Sequence, residues 1–256
     1  MIPKKIHYCW FGKNPLPDEF QQYLLSWKKY CPDYEIIRWD ESNFPIEECN
    51  DYVKEAATKG KWAFISDYAR LKIIYEEGGI YLDADVELLK PLDDLLNNYS
   101  FFGFEPPFYQ INTGVGFGSE SKNPLLKEIL NIYDNIHFIK EDGSLNQTTC
   151  VQHTNDILNK LGLKNENIIQ VINNNTFYPT EYFCPINWID GSIKTTDNTY
   201  SIHHYSYSWA SKEDKKIHNV EQKCIRLFGN KLGALIGLMY RKVYKGCLLI
   251  IRIIKR

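Results

Sequence analysis

The sequence lacks the paired cysteines that mark zinc ribbons and thioredoxin-like enzymes. Its seven cysteines are scattered, and no two of them form a Cys-x-x-Cys pair. An odd number of separated thiols also does not suit a disulfide framework. We therefore expect reduced thiols in a cytosolic protein, with neither a structural zinc site nor a disulfide-stapled fold.

Long apolar runs are missing as well. The opening MIPKKIHYCWFG has no apolar leader with a cleavage site, so we expect no secretion signal. No run reaches the roughly 20 apolar residues that span a bilayer. Hydrophobic residues nevertheless make up 44% of the 256 positions and aromatic residues 14%. This composition predicts a folded protein with a substantial core.

Acidic residues are absent from the C-terminal end. Residues 222–256 contain nine Lys or Arg and no Asp or Glu, whereas residues 1–221 contain 21 basic and 32 acidic groups. This shift predicts two parts. Residues 1–221 form a globular body that is large enough to be a catalytic domain, and residues 222–256 form a basic, amphipathic helical tail. Such a tail suits the interface of an anionic membrane, and a helix packed on the body is the alternative. The acidic body argues against a nucleic-acid partner.

Strand and helix signals alternate along the body. Apolar spacing predicts helices at 16–31, 61–77, 124–133 and 150–161, and β-forming residues predict strands at 5–11, 34–39, 79–82, 100–104, 111–118 and 201–205. This alternation predicts an α/β sandwich with a mostly parallel central sheet flanked by helices. Ligands of such sheets bind beyond the C-terminal ends of the strands.

Asp83 and Asp85 follow the apolar run GIYL at such a strand end. In extended backbone, residues two apart face the same side, so the two carboxylates lie close together. Nearby carboxylates repel each other unless a cation or hydrogen-bond donors compensate. A divalent ion such as Mn²⁺ or Mg²⁺ suits their oxygen atoms and could in turn hold a diphosphate.

Three other protein classes carry a similar pair. An EF-hand loop needs Gly at its sixth position, where this sequence has Leu88, so that class is excluded. Phosphohydrolases with an aspartyl nucleophile follow the pair with a Gly/Thr turn, which VELL lacks. A noncatalytic binder of sugar or metal is compatible with the pair. The binder and, less well supported, the phosphohydrolase stay open as alternatives.

The flanking residues narrow the choice. FISDYARLKIIYEEGG precedes the pair and places Asp67 and Arg70 three apart, on one face of a helix. The succession S-D-x-x-R, helix, G-G, apolar strand and D-x-D, with the opening IPKKIHYCWFG, resembles glycosyltransferase family 32 over residues 2–210. That family includes yeast-type initiating mannosyltransferases, bacterial capsule and lipopolysaccharide sugar transferases, and relatives of the clostridial glucosylating toxins. The resemblance implies a GT-A-type nucleotide-diphospho-sugar transferase fold.

The resemblance assigns roles to the matching positions. It implies that Asp85 binds the metal, and that Asp83 reaches ribose and donor-sugar hydroxyls and touches the metal through water. Asp67 and Arg70 match the pair that grips the donor sugar, and these four residues are the catalytic candidates. Trp10 matches the residue that stacks on the nucleotide base, although a tryptophan on a first strand also suits a core.

Two later segments extend the resemblance. INTGVGFGS resembles the strand that offers an Asn amide to the donor sugar, which makes Asn112 a donor-binding candidate, and a turn-forming asparagine is the alternative. In SIHHYSYSWAS, His204 stands five residues before Trp209, a spacing that resembles the one between metal ligand and Trp in the toxins. Their ligand is acidic there. The resemblance implies His204 as a metal ligand, and Trp209 with Ser206 or Ser208 as a lid on the diphosphate.

The implied activity is metal-dependent, retaining transfer of a hexose from a nucleotide sugar to a hydroxyl of a glycan acceptor. A UDP-sugar donor is favoured over GDP-mannose, and the expected cofactor is Mn²⁺ or Mg²⁺. No convincing nucleophile appears in the sequence, which favours a front-face mechanism. With the basic tail, we expect capsule or O-antigen synthesis on lipid-linked oligosaccharides, by a cytoplasmic enzyme peripheral to the inner face of the cell membrane.

Overall fold

A computed structural model describes residues 1–187, 189–206 and 212–254, and the chain divides into two compact units. The first unit comprises residues 1–185 and 195–204, and the second comprises 186–194 and 205–256. The second unit therefore includes residues that precede position 222, where the change in charge predicts a boundary.

The secondary structure follows the predicted alternation. The strands are β1 Lys5–Cys9, β2 Glu35–Trp39, β3 Gly79–Tyr81, β4 Val86–Leu88, β5 Ser100–Glu105, β6 Gln110–Ile111, β7 Phe117–Ser119, β8 Gln170–Ile172, β9 Asn175–Tyr178 and β10 Ser201–His203. The helices are α1 Asp18–Tyr30, α2 Asp51–Thr58, α3 Trp62–Glu77, α4 Pro124–Tyr133, α5 Cys150–Lys160, α6 Thr180–Phe183 and α7 Lys212–Ile254.

The central sheet has the order β2-β1-β3-β7-β5-β9-β8, with β6 added on β5. Strands β2, β1, β3, β5 and β9 all run in one direction, because β7 is antiparallel to both of its neighbours. The predicted α/β fold with a mostly parallel sheet is therefore confirmed. Because these five strands share a direction, their C-terminal ends share one edge, and residues after β3 and β5 lie there.

The predicted strand at 111–118 is interrupted. Strands β6 and β7 both pair with β5, in the registers Phe104↔Ile111 and Phe102↔Phe117, and the residues between them loop out. Asn112 causes this local turn, because its Oδ1 accepts a hydrogen bond from the amide of Gly114 at 2.7 Å. Residues 112–116 consequently lie beside the strand edge instead of within the ladder.

Aromatic residues fill the core of the first unit. Phe102 stacks between Phe117 and Phe177, with ring centroids 5.5 and 5.4 Å apart, and all three side chains are fully buried. Offset aromatic pairs of this kind add to the free energy gained by apolar burial. Much of the high aromatic content is thus core packing.

Strands β4 and β10 form a small antiparallel sheet next to helix α1. The indole of Trp27 donates to the carbonyl of Val86 at 2.8 Å, and the Ser26 hydroxyl accepts from the amide of Leu88 at 2.9 Å. Trp27 is fully buried. These bonds fix the segment that follows the two aspartates.

Helix α7 of the second unit consists of two helical segments joined at Gly229, whose φ of 77° is not helical. Glu221 accepts from Arg241 at 2.6 Å, and Lys245 pairs with Asp214 at 3.3 Å. Contacts in this reverse order show that the segments form an antiparallel hairpin. Among the described residues, none of the helices combines the length and apolar content needed to cross a bilayer.

Candidate active site

The two aspartates of the D-x-D motif follow β3 at the shared edge of the sheet. Asp83 is held by its backbone, since its amide donates to the carbonyl of Gly114 at 3.2 Å and its carbonyl accepts from Val86 at 3.0 Å. The hydroxyl of Tyr81 donates to Asp83 Oδ1 at 3.0 Å. Burial raises the pKa of Asp83 above its ordinary value, although the nearby charge of Arg70 opposes this shift.

Arg70 lies between two of the predicted carboxylates. Its Nη2 is 3.2 Å from Asp67 Oδ1 and 3.2 Å from Asp83 Oδ1, and its side chain is only 7% exposed. The guanidinium also lies over the ring of Tyr81, with 5.0 Å to the centroid. Burial lowers the pKa of Arg70, but Asp83, Tyr81 and Asp67 outweigh it and the pKa is raised. A permanent cation therefore links α3 to the D-x-D motif.

The position of Asp67 is set from a second side by helix α5. Its Oδ2 accepts a hydrogen bond at 3.3 Å from the amide of Cys150, the first residue of that helix. A carboxylate at a helix N-terminus is stabilised by the unpaired amides and the helix dipole. Asp67 thus accepts from α5 and pairs with Arg70 at once.

The backbone of Gly114 lies on the third side of the cluster that Asp67, Arg70 and Asp83 form. A Cβ atom at Gly114 would lie 2.2 Å from Asp83 Oδ2, 2.9 Å from Arg70 Nη1 and 3.0 Å from Asn112 Oδ1. The first two separations are shorter than real Cβ contacts, so a larger residue at this position would displace the side chains of Asp83 and Arg70. Asp83, Arg70 and Asn112 therefore converge around one glycine.

The structure places His203, and not His204, beside the two aspartates. His203 Nε2 lies 3.2 Å from Asp85 Oδ1, and the side chain is 8% exposed. Burial lowers the pKa of His203, but the charge and hydrogen bond of Asp85 outweigh it, so the pKa is raised. The side chain of His204 instead contacts Glu87 at 2.9 Å and stacks on Tyr23 at a centroid distance of 4.5 Å.

The choice between the two histidines follows from strand pairing. Strand β10 pairs with β4 so that His203 stands opposite Val86, next to Asp85. Successive side chains of a strand point to opposite faces, so one histidine at most can face the aspartates. The structure therefore brings His203, and not the predicted His204, to the two aspartates.

Asp83, Asp85 and His203 could together hold a metal ion. One ligand atom from each of them lies within 4.8 Å of the other two. Two carboxylates and one imidazole supply ligand types found around divalent metal ions in proteins. The donor set therefore fits the metal that the D-x-D motif implies.

The remaining predicted residues lie at different distances from this cluster. Trp10 follows β1 and is partly exposed, its indole donating to the carbonyl of Asn14 at 2.8 Å and its ring lying edge-on to Phe20. Asn112 Nδ2 donates to Glu105 Oε2 at 2.7 Å. Ser208 and Trp209 lie outside the described residues.

Residues 17–102 match a family model described as the glycosyltransferase sugar-binding region containing the DXD motif. They hold α3, β3 and all four clustered residues Asp67, Arg70, Asp83 and Asp85. This segment is therefore similar to the DXD-containing sugar-binding region of glycosyltransferases.

Curated relatives match this chain over part of its length. The chain is 30% identical to subversion of eukaryotic traffic protein A of Legionella pneumophila, over 40% of this chain and 20% of that protein. It is 29% identical to inositol phosphoceramide mannosyltransferase 3 of Schizosaccharomyces pombe, over 50% of this chain and 36% of the relative. The chain thus spans between a fifth and about two fifths of the length of these two relatives. The same holds for a third relative, inositol phosphoceramide mannosyltransferase 1 of Schizosaccharomyces pombe.

Other matches extend beyond the DXD region. The uncharacterized glycosyltransferase L373 of Acanthamoeba polyphaga mimivirus is 28% identical, over 77% of this chain and 82% of the viral protein. Among solved structures, the PaToxG glycosyltransferase is 17% identical with a TM-score of 0.49, over 63% of this chain and 72% of that one.

Two residues near the DXD region were not predicted from the sequence. His204 was selected from the sequence instead of His203. The predicted strand SIHHY was the available signal, because successive side chains of a strand point to opposite faces and the two histidines could not both face the aspartates. Glu105 ends β5 at the same sheet edge and receives the Asn112 amide. Its position after the apolar strand SFFGF was the available signal.

Proposed function

We propose that this chain is a metal-dependent glycosyltransferase that moves a hexose from a nucleotide-diphosphate sugar to a hydroxyl of a glycan acceptor. The observation that carries this proposal is the cluster of Asp83, Asp85 and His203, with ligand atoms within 4.8 Å, next to the buried guanidinium of Arg70. Carboxylate ligands beside a fixed cation suit a diphosphate and the sugar attached to it.

The donor set supports Mn²⁺ as the cofactor, with Mg²⁺ as the alternative. Carboxylates suit both ions, while an imidazole ligand is more typical of transition metals. A bound divalent ion would neutralise charge on the departing diphosphate. In this proposal His203 takes the metal-binding place that the resemblance gave to His204.

The protein side chains have distinct parts in the proposed reaction. Asp67 and Asp83 orient the donor sugar through its hydroxyls, and Arg70 holds both carboxylates in place while lying near the phosphates. Trp10 stacks on the nucleotide base with its exposed face. Asn112 offers an amide hydrogen to the sugar, and Ser208 with Trp209 covers the diphosphate.

The proposed stereochemistry is retention, as the family resemblance implies. The acceptor hydroxyl attacks from the side that the diphosphate leaves, and the leaving phosphate helps to remove the hydroxyl proton. The favoured donor is a UDP-sugar. GDP-mannose is the second candidate, since two relatives are named as mannosyltransferases of inositol phosphoceramide.

The first experiment is a panel of UDP- and GDP-sugars incubated with the chain and Mn²⁺, with release of free nucleotide as the readout. Release from one donor that stops with EDTA and in Asp85→Ala, but persists in the exposed control Asp156→Ala, supports the proposal. Donor binding without release, with lipid-linked acceptors present, favours an inactive binding module. Release of inorganic phosphate from simple esters favours a phosphohydrolase.

We also propose that the enzyme works at the inner face of the cell membrane on lipid-linked glycans, in capsule or O-antigen synthesis. The second segment of α7 supports this. Its exposed apolar residues recur at helical spacing, at Leu232, Leu235, Met239 and Val243, and the tip adds Leu227 and Phe228. Basic residues without acids in 222–256 complement anionic lipid headgroups.

Vesicle flotation tests this membrane contact. The chain should float with phosphatidylglycerol vesicles and much less with phosphatidylcholine vesicles. The combined change Leu232→Ser, Leu235→Ser and Met239→Ser should abolish flotation, whereas Val171→Ser, an exposed apolar residue of β8, should not. Equal flotation of all variants, or none by the unaltered chain, would contradict the proposal.

A further inference from the structure

A continuous hydrogen-bond chain links the end of β5 to the D-x-D motif. Glu105 Oε2 accepts from Asn112 Nδ2 at 2.7 Å, and Asn112 Oδ1 accepts from the amide of Gly114 at 2.7 Å. The carbonyl of Gly114 then accepts from the amide of Asp83 at 3.2 Å. Glu105 thus connects to Asp83 through the side chain of Asn112 and the backbone of one residue, Gly114.

The chain fixes which way the Asn112 amide points. An ionised carboxylate only accepts hydrogen bonds and a backbone amide only donates them, so Nδ2 must face Glu105 and Oδ1 must face Gly114. Without Glu105, the amide would keep one partner and could rotate. The amide nitrogen has a second hydrogen, which no hydrogen bond within the described residues uses.

The surroundings of Gly114 show why small displacements matter. There is no room for even a Cβ atom between its backbone and Asp83 Oδ2. A shift of the Asn112 side chain would release the Gly114 amide and, with it, the carbonyl that holds Asp83. The same movement would turn the second amide hydrogen away from the site.

We propose that Glu105 is a positioning residue for donor binding, which acts through Asn112 on Asp83 and on the amide hydrogen offered to the donor sugar. This inference rests on the proposed function, because it assumes a nucleotide sugar beside Asp83. Glu105 itself has no contact with the sugar in this scheme.

The test compares Glu105→Ala, Glu105→Gln, Asn112→Ala and the double variant, with Glu128→Ala on the exposed face of α4 as control. Loss of a hydrogen bond to a charged group corresponds to a fall of about ten- to hundredfold in kcat/KM for the nucleotide sugar in Glu105→Ala. Affinity for the nucleoside diphosphate alone should not change. Glu105→Gln should keep most activity, because its amide oxygen still accepts from Asn112.

The double variant separates positioning from direct contact. If Glu105 acts through Asn112, Glu105→Ala should cause no further loss when Asn112 is already alanine. An additive loss would overturn the proposal, as would equal losses for nucleotide sugar and nucleoside diphosphate. If Glu105→Ala does not fold, the double exchange Glu105→Gln with Asn112→Asp is used instead. It keeps a hydrogen bond between the two positions, but residue 105 now donates and residue 112 accepts. This exchange should fold and bind the nucleoside diphosphate, yet bind the nucleotide sugar weakly, and normal sugar binding would overturn the proposal.

Failure of the two proposals gives different results. If the unaltered chain binds no nucleotide sugar in the presence of Mn²⁺, both fail together. If it turns over a donor and Glu105→Ala matches Glu128→Ala, the glycosyltransferase proposal stands and the role of Glu105 is wrong.

Discussion

His7 and His203 are both buried, yet they occupy opposite electrostatic environments. His7 lies inside β1, where Trp39 Nε1 donates to its Nδ1 at 3.0 Å and its Nε2 lies 3.1 Å from the carbonyl of Gly78. Since an indole N–H only donates, Nδ1 is the acceptor and Nε2 carries the proton. Burial lowers the pKa of His7 to about 4, so this histidine is neutral.

His203 faces carboxylates instead of neutral partners. Asp85 raises its pKa in spite of burial, and Asp83 and Glu105 act in the same direction. The interior of the sheet thus pairs every polar atom of His7 with a neutral partner, while the edge concentrates charge. Clustered charge at a sheet edge costs desolvation free energy, and this is the pattern expected of a binding site for ions.

The largest expected effect concerns the charged edge. Asp85→Asn removes a carboxylate charge while keeping the side-chain shape, and the loss of several kcal/mol of charge stabilisation should lower turnover by about a thousandfold. Nucleotide release with Mn²⁺ measures this, with Asp156→Asn as control. A decrease of less than about tenfold would mean that the edge does not act through a cation.

The next effect concerns the neutral histidine. Because His7 has a pKa of about 4 when folded and an ordinary value near 6.5 when unfolded, the unfolded chain binds more protons between these values. Stability should fall by about 3 kcal/mol as the pH drops through this window. Urea unfolding of His7→Gln should lose that part of the pH dependence. His203, with a raised pKa, contributes in the opposite sense and loses its contribution as the pH rises.

Metal binding distinguishes His203 from its neighbour. Loss of groups that merely support a ligand already costs about 10–100-fold in metal affinity, so His203→Ala should weaken Mn²⁺ binding by at least about a hundredfold. His204→Ala should leave it unchanged, because that ring contacts Glu87 and Tyr23. Titration with Mn²⁺ followed by electron paramagnetic resonance measures both, and the reverse order would restore the sequence-based assignment.

The smallest effect comes from an exposed ion pair on the helix that carries Arg70. Lys72 and Glu76 are 2.6 Å apart on the surface of α3. Glu76→Gln should change the free energy of unfolding by less than about 0.5 kcal/mol, because exposed pairs gain little in water. A loss of unfolding free energy as large as that expected for a buried ion pair would contradict the distinction between the charged sheet edge and the protein surface.

Local patterns predicted much of this architecture. The alternation of strands and helices, the Gly78-Gly79 stop after α3, and the placement of Asp83 and Asp85 at a strand end all depend on neighbours in sequence. The same holds for Asp67 and Arg70, which share a helix face by spacing alone.

The features that were missed depend on pairing between distant segments. The choice of His203 required the register of β10 on β4, and the role of Glu105 required the loop after β6 to fold back beside β5. The hairpin within α7 required Gly229 to leave the helical conformation, although an isolated glycine in a helical pattern is often tolerated. Sequence spacing has no information on such tertiary contacts.

The pairing of β4 with β10 has a consequence for how the protein is made. His203 lies 118 positions after Asp85 along the chain, so all strands of the central sheet are synthesised before the third residue of the Asp83, Asp85 and His203 cluster. Contacts between residues so far apart form late, after the intervening chain has been ordered. A nascent chain that ends before β10 would therefore have the central sheet and the D-x-D motif but would lack one residue of the proposed metal site. The chain would therefore be able to bind the proposed metal ion only after the whole first unit has been synthesised.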